Sequence, residues 1–391
     1  MARRDLHPSR PASERLMQVA PASLRLARQA RLRELMREAG LDALLVTSLT
    51  NVAYLTGLFA SAAGVVISRD HIALITDGRY LGIAEGLVEP LTGLELVITP
   101  ASKPFDQAFA EALCKGGNWR AGFESVHLTV KRFQDLEQRL KVMGPGVRLE
   151  ATEGLIERLR ILKDDWELQV LADAGGRLSE AAKCIIPKAL AGMKEREVAA
   201  VIEAELRRVG FDKPAFDTIV AAGPNSAVPH YRAGDRVLAK GDLVVLDFGG
   251  MFHGYAVDLT RTITLGPATD RQRRLLEDVG AAQDAGFSVV REGVLATDID
   301  RATRESMAKA GLGEAFGHGT GHGLGLEVHE RPRVAPLRAD FPGEPLAPGM
   351  VFTIEPGAYF PEWGGARIED DAALTKTGAV WLTDVPRFWT N

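Results

Sequence analysis

The sequence lacks the features of several large classes of protein. It has only two cysteines, Cys114 and Cys184, too few for a disulfide framework and without metal-site spacing, which indicates small core residues and a reducing cytoplasm. With 25% charged residues and a net charge of -5, it offers no sign of the basic face that would bind nucleic acid. No stretch approaches the roughly 18 apolar residues of a membrane span. We therefore expect a cytoplasmic protein that binds neither nucleic acid nor membranes.

The length of the chain predicts two domains, because 391 residues exceed what one ordinary hydrophobic core accommodates. Residues 1–21 are polar and proline-rich, without the apolar run of a signal peptide, and we assign them to an N-terminal extension. Residues 22–150 alternate between helical and strand patterns and predict an α/β domain. Leucines at helical spacing make 151–165 a predicted linker helix. Residues 166–391 begin with helical patterns and continue mostly as strands and turns.

Short runs within the first domain give more local predictions. Residues 22–40 carry an amphipathic helical pattern that stops at a glycine, and the apolar run 43–46 follows as a strand. We interpret residues 51–57 (NVAYLTG) as a loop. This domain contains no obvious cluster of catalytic residues.

The segment 316–330 reads FGHGTGHGLGLEVHE and contains five glycines. Glycine costs about 1 kcal/mol in a helix and permits close approach of the backbone, so we expect a compact, non-helical segment. His318, His322 and His329 are three of only eight histidines, and imidazole is the commonest metal ligand, so a metal site is predicted. Residues 324–328 alternate as in a strand, and no helix opens there, which disfavours a phosphate-binding dinucleotide loop.

Acidic residues interrupt two strands that are otherwise apolar. Asp247 ends the run 243–248 (LVVLDF), and Asp258 stands inside 256–263 (AVDLTRTI). Aspartate is depleted in strands and is rarely buried without a partner, so a shared cation is predicted. Salt bridges, with Arg261 for example, are the structural alternative.

Two further carboxylates repeat this pattern, since Glu355 ends 351–355 (VFTIE) and Glu369 lies in a short strand predicted over 366–371 (ARIEDD). Four carboxylates and one imidazole form a set of hard ligands that suits Mn²⁺ or Co²⁺ and tolerates Zn²⁺. Five ligands exceed the needs of one tetrahedral ion, which predicts two ions about 3.5 Å apart. Water between two such ions loses a proton near neutral pH, so the predicted chemistry is hydrolysis by a bridging hydroxide.

The second half of the chain resembles the pita-bread metallopeptidases, the family of aminopeptidase P, prolidase and methionine aminopeptidase. The motifs that carry the resemblance are 216–230 (FDTIVAAGPNSAVPH), 247–249 (DFG), 258–262 (DLTRT), 317–330, 353–357 (TIEPG) and 367–371 (RIEDD). The resemblance implies an α+β fold, with a pita-bread catalytic domain preceded by a smaller α/β creatinase-like domain. It also implies homodimers or homotetramers.

By this resemblance the site is dinuclear, with Asp258 and Glu369 bridging the two metals. The implied ligands are Asp247, Asp258, His322, Glu355 and Glu369. His230 and His329 would stabilise the scissile carbonyl as its charge develops, and Glu355 would also shuttle a proton to the departing nitrogen. His318 would contact a ligand or the substrate.

The amino-terminal half resembles the creatinase-like domain of aminopeptidase P and prolidase, which implies short proline-containing peptides as substrates. The overall length and the motif 76–80 (TDGRY) favour aminopeptidase P, which removes the first residue ahead of proline. The alternative is prolidase, an Xaa-Pro dipeptidase, with Arg333 as the anchor of the proline carboxylate. Arg367 would bind substrate or pair with the acids of the site. A non-catalytic peptide-binding homologue is the more remote reading.

Overall fold

The protein is described here by a computed structural model that covers residues 19–117, 119–339 and 342–391. Most of the predicted N-terminal extension, residues 1–18, lies outside the described residues. No helix in the described ranges is both long enough and apolar enough to cross a membrane.

The amino-terminal part consists of one mixed sheet flanked by helices. Its strands are β1 Ala43–Val46, β2 Ala63–Ser68, β3 Ile72–Asp77, β4 Leu94–Thr99, β5 Arg120–Glu124 and β6 Arg148–Thr152. Its helices are α1 Ala22–Glu38, α2 Leu49–Thr56, α3 Leu81–Val88, α4 Phe105–Cys114 and α5 Val130–Met143. The sheet order is β4-β3-β2-β1-β5-β6, with β1 and β2 antiparallel and β1, β5 and β6 parallel. The predicted α/β architecture of this part is confirmed.

The loop predicted at residues 51–57 is wrong, because helix α2 occupies most of it. The Ser48 hydroxyl caps the helix by accepting the Asn51 N–H at 3.4 Å, and Gly57 ends it in a left-handed conformation. Every residue from Asn51 to Thr56 is buried. A helix that is buried on nearly all sides has no clear amphipathic period, so the pattern that identifies surface helices was missing here.

The connection between the two parts is mostly not helical. Strand β6 continues to Thr152, and helix α6 covers only Glu157–Arg160 before the next helix begins. Asp164 then caps that helix, α7 Asp165–Ile185, in a capping box with Glu167. The leucine spacing that predicted a linker helix over 151–165 reflects buried contacts in a bent chain.

The carboxyl-terminal part contains two larger sheets that meet at one edge and a third sheet of only two strands, and helices pack around them. After α7, its helices are α8 Glu195–Arg208, α9 Asp270–Ser288 and α10 Ala296–Lys309. Its strands are β7 Lys213–Pro214, β8 Ile219–Ala222, β9 Leu243–Phe252, β10 Tyr255–Thr264, β11 Gly321–Gly323, β12 Glu330–Val334, β13 Val351–Ile354, β14 Gly357–Phe360, β15 Gly364–Arg367, β16 Asp370–Thr375 and β17 Gly378–Trp381. One sheet has the order β10-β9-β7, with β8 also on β9, and the other has the order β12-β11-β13-β16-β17.

The two sheets are joined where a bridge links Thr260 of β10 to Glu369. Glu369 donates its N–H to the Thr260 carbonyl at 3.1 Å, so it lies in this bridge rather than in the short strand predicted over 366–371. The strand predicted over 324–328 is also wrong, because residues 325–329 form consecutive bends. The side chain of Glu330, the residue after these bends, accepts the Glu327 N–H at 2.9 Å. This N–H is therefore not available to pair with a neighbouring strand.

Candidate metal centre

Asp247 and Asp258 lie on the neighbouring antiparallel strands β9 and β10. Asp258 stands opposite Gly249, and Asp247 stands opposite Thr260. Residues two apart on a strand share a face, as do directly opposite residues, so both carboxylates and the Thr260 hydroxyl project to one side. The two aspartates are only 8% and 4% exposed, so this face is the interior of the domain.

The other predicted ligands come from the second sheet. His322 is the central residue of β11, Glu355 follows the last residue of β13, and Glu369 directly precedes β16. This packing requires glycine beside the histidine, because a Cβ atom on Gly321 would lie 2.1 Å from the Thr353 carbonyl oxygen. A larger residue would push β11 away from β13 and move the imidazole. The close backbone approach predicted for the glycine-rich segment is therefore confirmed.

Four of the five predicted ligands bring their side-chain atoms into one small volume. Those of Asp258, His322 and Glu369 all lie within 4.8 Å of one another. The His322 Nε2 atom is 4.0 Å from Asp258 Oδ2 and 3.6 Å from Glu355 Oε1. Metal bonds of ~2.0–2.2 Å place ligand atoms roughly 3–4 Å apart, so these separations suit an ion between them.

The electrostatics of the site favour the binding of a cation. Burial raises the pKa of Asp258 and of Glu369 well above the usual range, and the negative charges of neighbouring carboxylates raise both further. Burial also raises the pKa of Glu355 to about 8, against the opposing charge of Arg367. Burial lowers the pKa of His322 to about 4, so its imidazole is neutral at pH 7 and able to bind a metal. A divalent cation would relieve the repulsion among these acids.

Buried oxygens without hydrogen-bond partners give a separate test of whether the site fits a cation. The Oδ1 atoms of Asp247 and Asp258 are buried and have no hydrogen-bond partner in the described part of the chain. Buried acceptors are normally satisfied, so each such oxygen calls for a ligand. Carboxylate oxygens with one neutral imidazole form a donor set that Mn²⁺, Co²⁺ and Zn²⁺ all accept. The residues present therefore fit a divalent metal.

Arg367 is buried against the site, with its side chain 4% exposed. It forms an ion pair with Asp247 and donates to Thr260 Oγ1 at 3.2 Å. It also donates to the Tyr359 hydroxyl at 2.8 Å, and that hydroxyl lies 3.0 Å from His318 Nε2. These contacts orient the carboxylate of Asp247. Contact of Arg367 or His318 with substrate stays a prediction.

The residues predicted to contact substrate lie around the opening of the site. His329 is exposed, and its ring centroid is 4.2 Å from that of His322. Partial desolvation lowers the pKa of His329, and its electrostatic interaction with His230, which is also exposed, lowers it further. Arg333 stands opposite His322 in the β11–β12 pair, so the two side chains share a face of the sheet.

Three polar residues that support the ligands were missed in the sequence. Thr260 Oγ1 donates to Glu369 Oε2 at 2.6 Å, and Asp371 Oδ2 accepts the Asp258 N–H at 3.0 Å. The third is Tyr359. A period of two from Asp258 along its strand would have found Thr260, and Asp371 ends the acidic run 366–371, whereas no local pattern marks Tyr359.

Comparison with protein families gives two matches along the chain. Residues 170–376 match the model of metallopeptidase family M24, and residues 28–162 match that of the creatinase/prolidase N-terminal domain. The chain belongs to metallopeptidase family M24. As an M24 enzyme it is a hydrolase, with a pita-bread catalytic domain after a creatinase-like domain, as predicted.

Several M24 relatives align along nearly the whole chain. The Xaa-Pro dipeptidase of Pyrococcus horikoshii is 34% identical over 90% of this chain and 96% of its own length. The structure of an Xaa-Pro dipeptidase from Bacillus anthracis has a TM-score of 0.87 at 34% identity, covering 94% of this chain and 100% of that one. The structure of the X-Pro aminopeptidase from Thermotoga maritima has a TM-score of 0.82 at 30% identity, covering 93% of this chain and 99% of that one. These relatives favour the dipeptidase alternative over the aminopeptidase P prediction.

Proposed function

We propose that this protein is a metal-dependent Xaa-Pro dipeptidase, which hydrolyses the bond before the proline of a dipeptide. This replaces aminopeptidase P as our first choice. The relatives named as dipeptidases support the substrate class. The observation that carries the choice is the position of Arg333 on the same face as His322, because a dipeptidase needs a cation near its metals for the substrate carboxylate.

The metals would be held by the residues that the sequence predicted for this role. These are Asp247, Asp258, His322, Glu355 and Glu369. When bound, two divalent ions supply an activated water and polarise the scissile carbonyl. We propose Mn²⁺ as the native metal, because carboxylate oxygens dominate the set. Thr260 and Arg367 keep the carboxylates of Glu369 and Asp247 in place.

The remaining side chains act on the substrate. Arg333 binds the carboxylate of the proline and fixes the direction of the dipeptide. His230 and His329 donate hydrogen bonds to the scissile carbonyl oxygen as negative charge develops on it. The Glu355 carboxylate would take the proton that the attacking water loses and pass it to the departing proline nitrogen as the peptide bond breaks.

Turnover of matched peptides tests this proposal. The protein is stripped of metal, supplied with Mn²⁺, and given Xaa-Pro and Xaa-Pro-Yaa at equal concentration. We expect cleavage of the dipeptide with little cleavage of the tripeptide. The opposite preference would establish aminopeptidase P, and binding of peptide without metal-dependent cleavage would point to a non-catalytic homologue. A cytoplasmic location and a homodimer or homotetramer remain predictions.

A further inference from the structure

His329 belongs to a segment that the sheet does not hold. Residues 325–329 are bends, and regular pairing of β12 resumes only at Glu330. Among the described residues, the backbone of this segment has two ties to the strands that carry predicted ligands: the Ala256 N–H on β10 donates to the Gly325 carbonyl at 2.7 Å, and the Val328 backbone contacts the His322 ring. Side chains must therefore supply much of what fixes His329.

The main internal support of this segment is the carboxylate of Glu330. Its Oε1 atom accepts the Glu327 N–H at 2.9 Å and closes the bend in which His329 lies. A Cβ atom on Gly325 would come within 2.6 Å of Glu330 Oε2, so the glycine leaves room for this carboxylate. Burial raises the pKa of Glu330, but the charges of Lys163 and Arg160 bring it below its usual range. The carboxylate is therefore ionised when it holds the bend.

The two cationic side chains that hold Glu330 come from outside the segment 325–329. Arg160, in the short helix α6, forms ion pairs with Glu330 and with Glu327, the latter at 2.7 Å. Lys163 reaches Glu330 at 3.4 Å. The side chains of Arg160, Lys163 and Glu330 are only 3%, 1% and 6% exposed, so water screens their ion pairs less than it screens surface pairs. Glu327 is 42% exposed, so its pair with Arg160 is the weaker contact.

The guanidinium of Arg160 also forms hydrogen bonds to the amino-terminal domain. Arg160 Nη1 donates to Asn51 Oδ1 at 2.8 Å, and the Asn51 amide donates to Glu124 Oε1 at 2.6 Å and to Glu157 Oε1 at 2.7 Å. Asn51 lies in helix α2, and Glu124 ends strand β5. One buried arginine therefore connects the creatinase-like sheet to the bend beside His329.

We propose that Arg160 is a positioning residue, which couples the conformation of His329 to the amino-terminal domain specifically through its bond to Asn51. The inference rests on the proposed function, since it concerns the task given to His329 there. Arg160 does not touch the metal ligands. It acts through Glu330 and Glu327, so its loss should change the placement of His329 first and reach His322 only through the Val328 backbone and the neighbouring His329 ring.

Hydrogen exchange of metal-free protein tests the structural half without any assay of activity. In Arg160→Gln we expect amides of the 324–330 segment to exchange at least ~10-fold faster, because the ionised pairs that hold Glu330 are lost. Arg28→Gln is the matched control, since Arg28 joins the two domains through Asp164 and Glu167, at 2.8 and 3.2 Å, and its side chain is 6% exposed. Equal loss of protection in the two variants would reduce Arg160 to a general domain contact and overturn the proposal.

A double-mutant cycle tests the functional half on an Xaa-Pro dipeptide. We expect Arg160→Gln to lower kcat about 10-fold with little change in KM, and to have no further effect in the His329→Ala background. Additive effects would show that Arg160 does not act through His329. Arg160→Lys keeps the charge but loses the planar guanidinium, whose two terminal nitrogens reach Asn51 and two carboxylates. Its kcat should therefore lie between those of Arg160→Gln and the wild type.

Failure of the proposed function and failure of the positioning role of Arg160 give different results. If the wild type cleaves no Xaa-Pro peptide, the proposed function fails, and the exchange comparison alone decides whether Arg160 holds the segment. If Arg160→Gln does not fold, Arg160→Lys replaces it in both experiments. Unchanged exchange in Arg160→Lys together with full activity would then refute the proposal.

Discussion

The acids of the metal centre should make the metal-free protein less stable as the pH rises. The pKa of Glu355 is raised from 4.5 to about 8, chiefly by burial. Between these values the folded protein keeps a proton that the unfolded chain has lost, so the free energy of unfolding falls with rising pH. The useful window begins near pH 6.5, because His318 and His322, with pKa values lowered to about 4, oppose this trend only below the usual histidine value of 6.5.

The size of the effect follows from the number of pH units crossed. One proton over the interval from pH 6.5 to 8 corresponds to roughly 2 kcal/mol for Glu355 alone. With an unfolding entropy of ~2.1 cal/mol/K per residue over 391 residues, this lowers the Tm by about 2.5 °C. The raised pKa values of Asp258 and Glu369 act in the same direction. Mn²⁺ should reverse the trend, because its ligands bind in their deprotonated forms.

Differential scanning calorimetry of stripped and Mn²⁺-loaded protein across this window measures the effect. Glu355→Gln is the control, because an amide of the same shape cannot ionise, and its metal-free Tm should decline less steeply by the amount given above. Parallel Tm profiles for the wild type and Glu355→Gln would refute the reasoning. A metal-free wild type whose Tm rises across the window would refute it as well.

Three substitutions extend these expectations. Arg333→Gln should lower kcat/KM for Xaa-Pro about 10-fold, at the low end for a charge-assisted bond because Arg333 is exposed, and should leave Xaa-Pro amides nearly unchanged in steady-state assays. His329→Ala should lower kcat by about 10²-fold or more with a smaller change in KM. A loss of kcat/KM of the same size that arose only from a higher KM would contradict the role of His329 at the carbonyl. Arg261→Gln should destabilise the protein by about 3–5 kcal/mol in denaturant titrations, because Arg261 is 1% exposed and its buried partner Asp370 would lose its cation.

The residues that converge on the metal centre could be predicted because each one breaks a local rule. A carboxylate inside an apolar strand, as at Asp258, or a histidine between glycines, as at His322, has no ordinary structural reason to be there. Such conflicts are visible within a few residues of sequence. They marked the candidate groups but not their supports, and only the family resemblance chose His322 over His318, which also lies between two glycines.

The supports escaped prediction because their partners are distant in sequence. Arg160 and Glu330 are separated by 170 positions, and no local pattern links them. Helix α2 was hidden because burial on all sides removed its period. The bends at 325–329 alternate in hydrophobicity like a strand, but the carboxylate of Glu330 takes a backbone N–H that a strand would have used.

The joint between the two sheets limits how this domain can change in length during evolution. Asp258 faces the metal centre through the pairing of β10 with β9, and Glu369 enters it through the bridge to Thr260. Inserting or deleting a single residue in either strand would turn a carboxylate to the opposite face, a larger change than most substitutions cause. Insertions should therefore accumulate in connections outside these strands, where added length leaves the strand pairing unchanged.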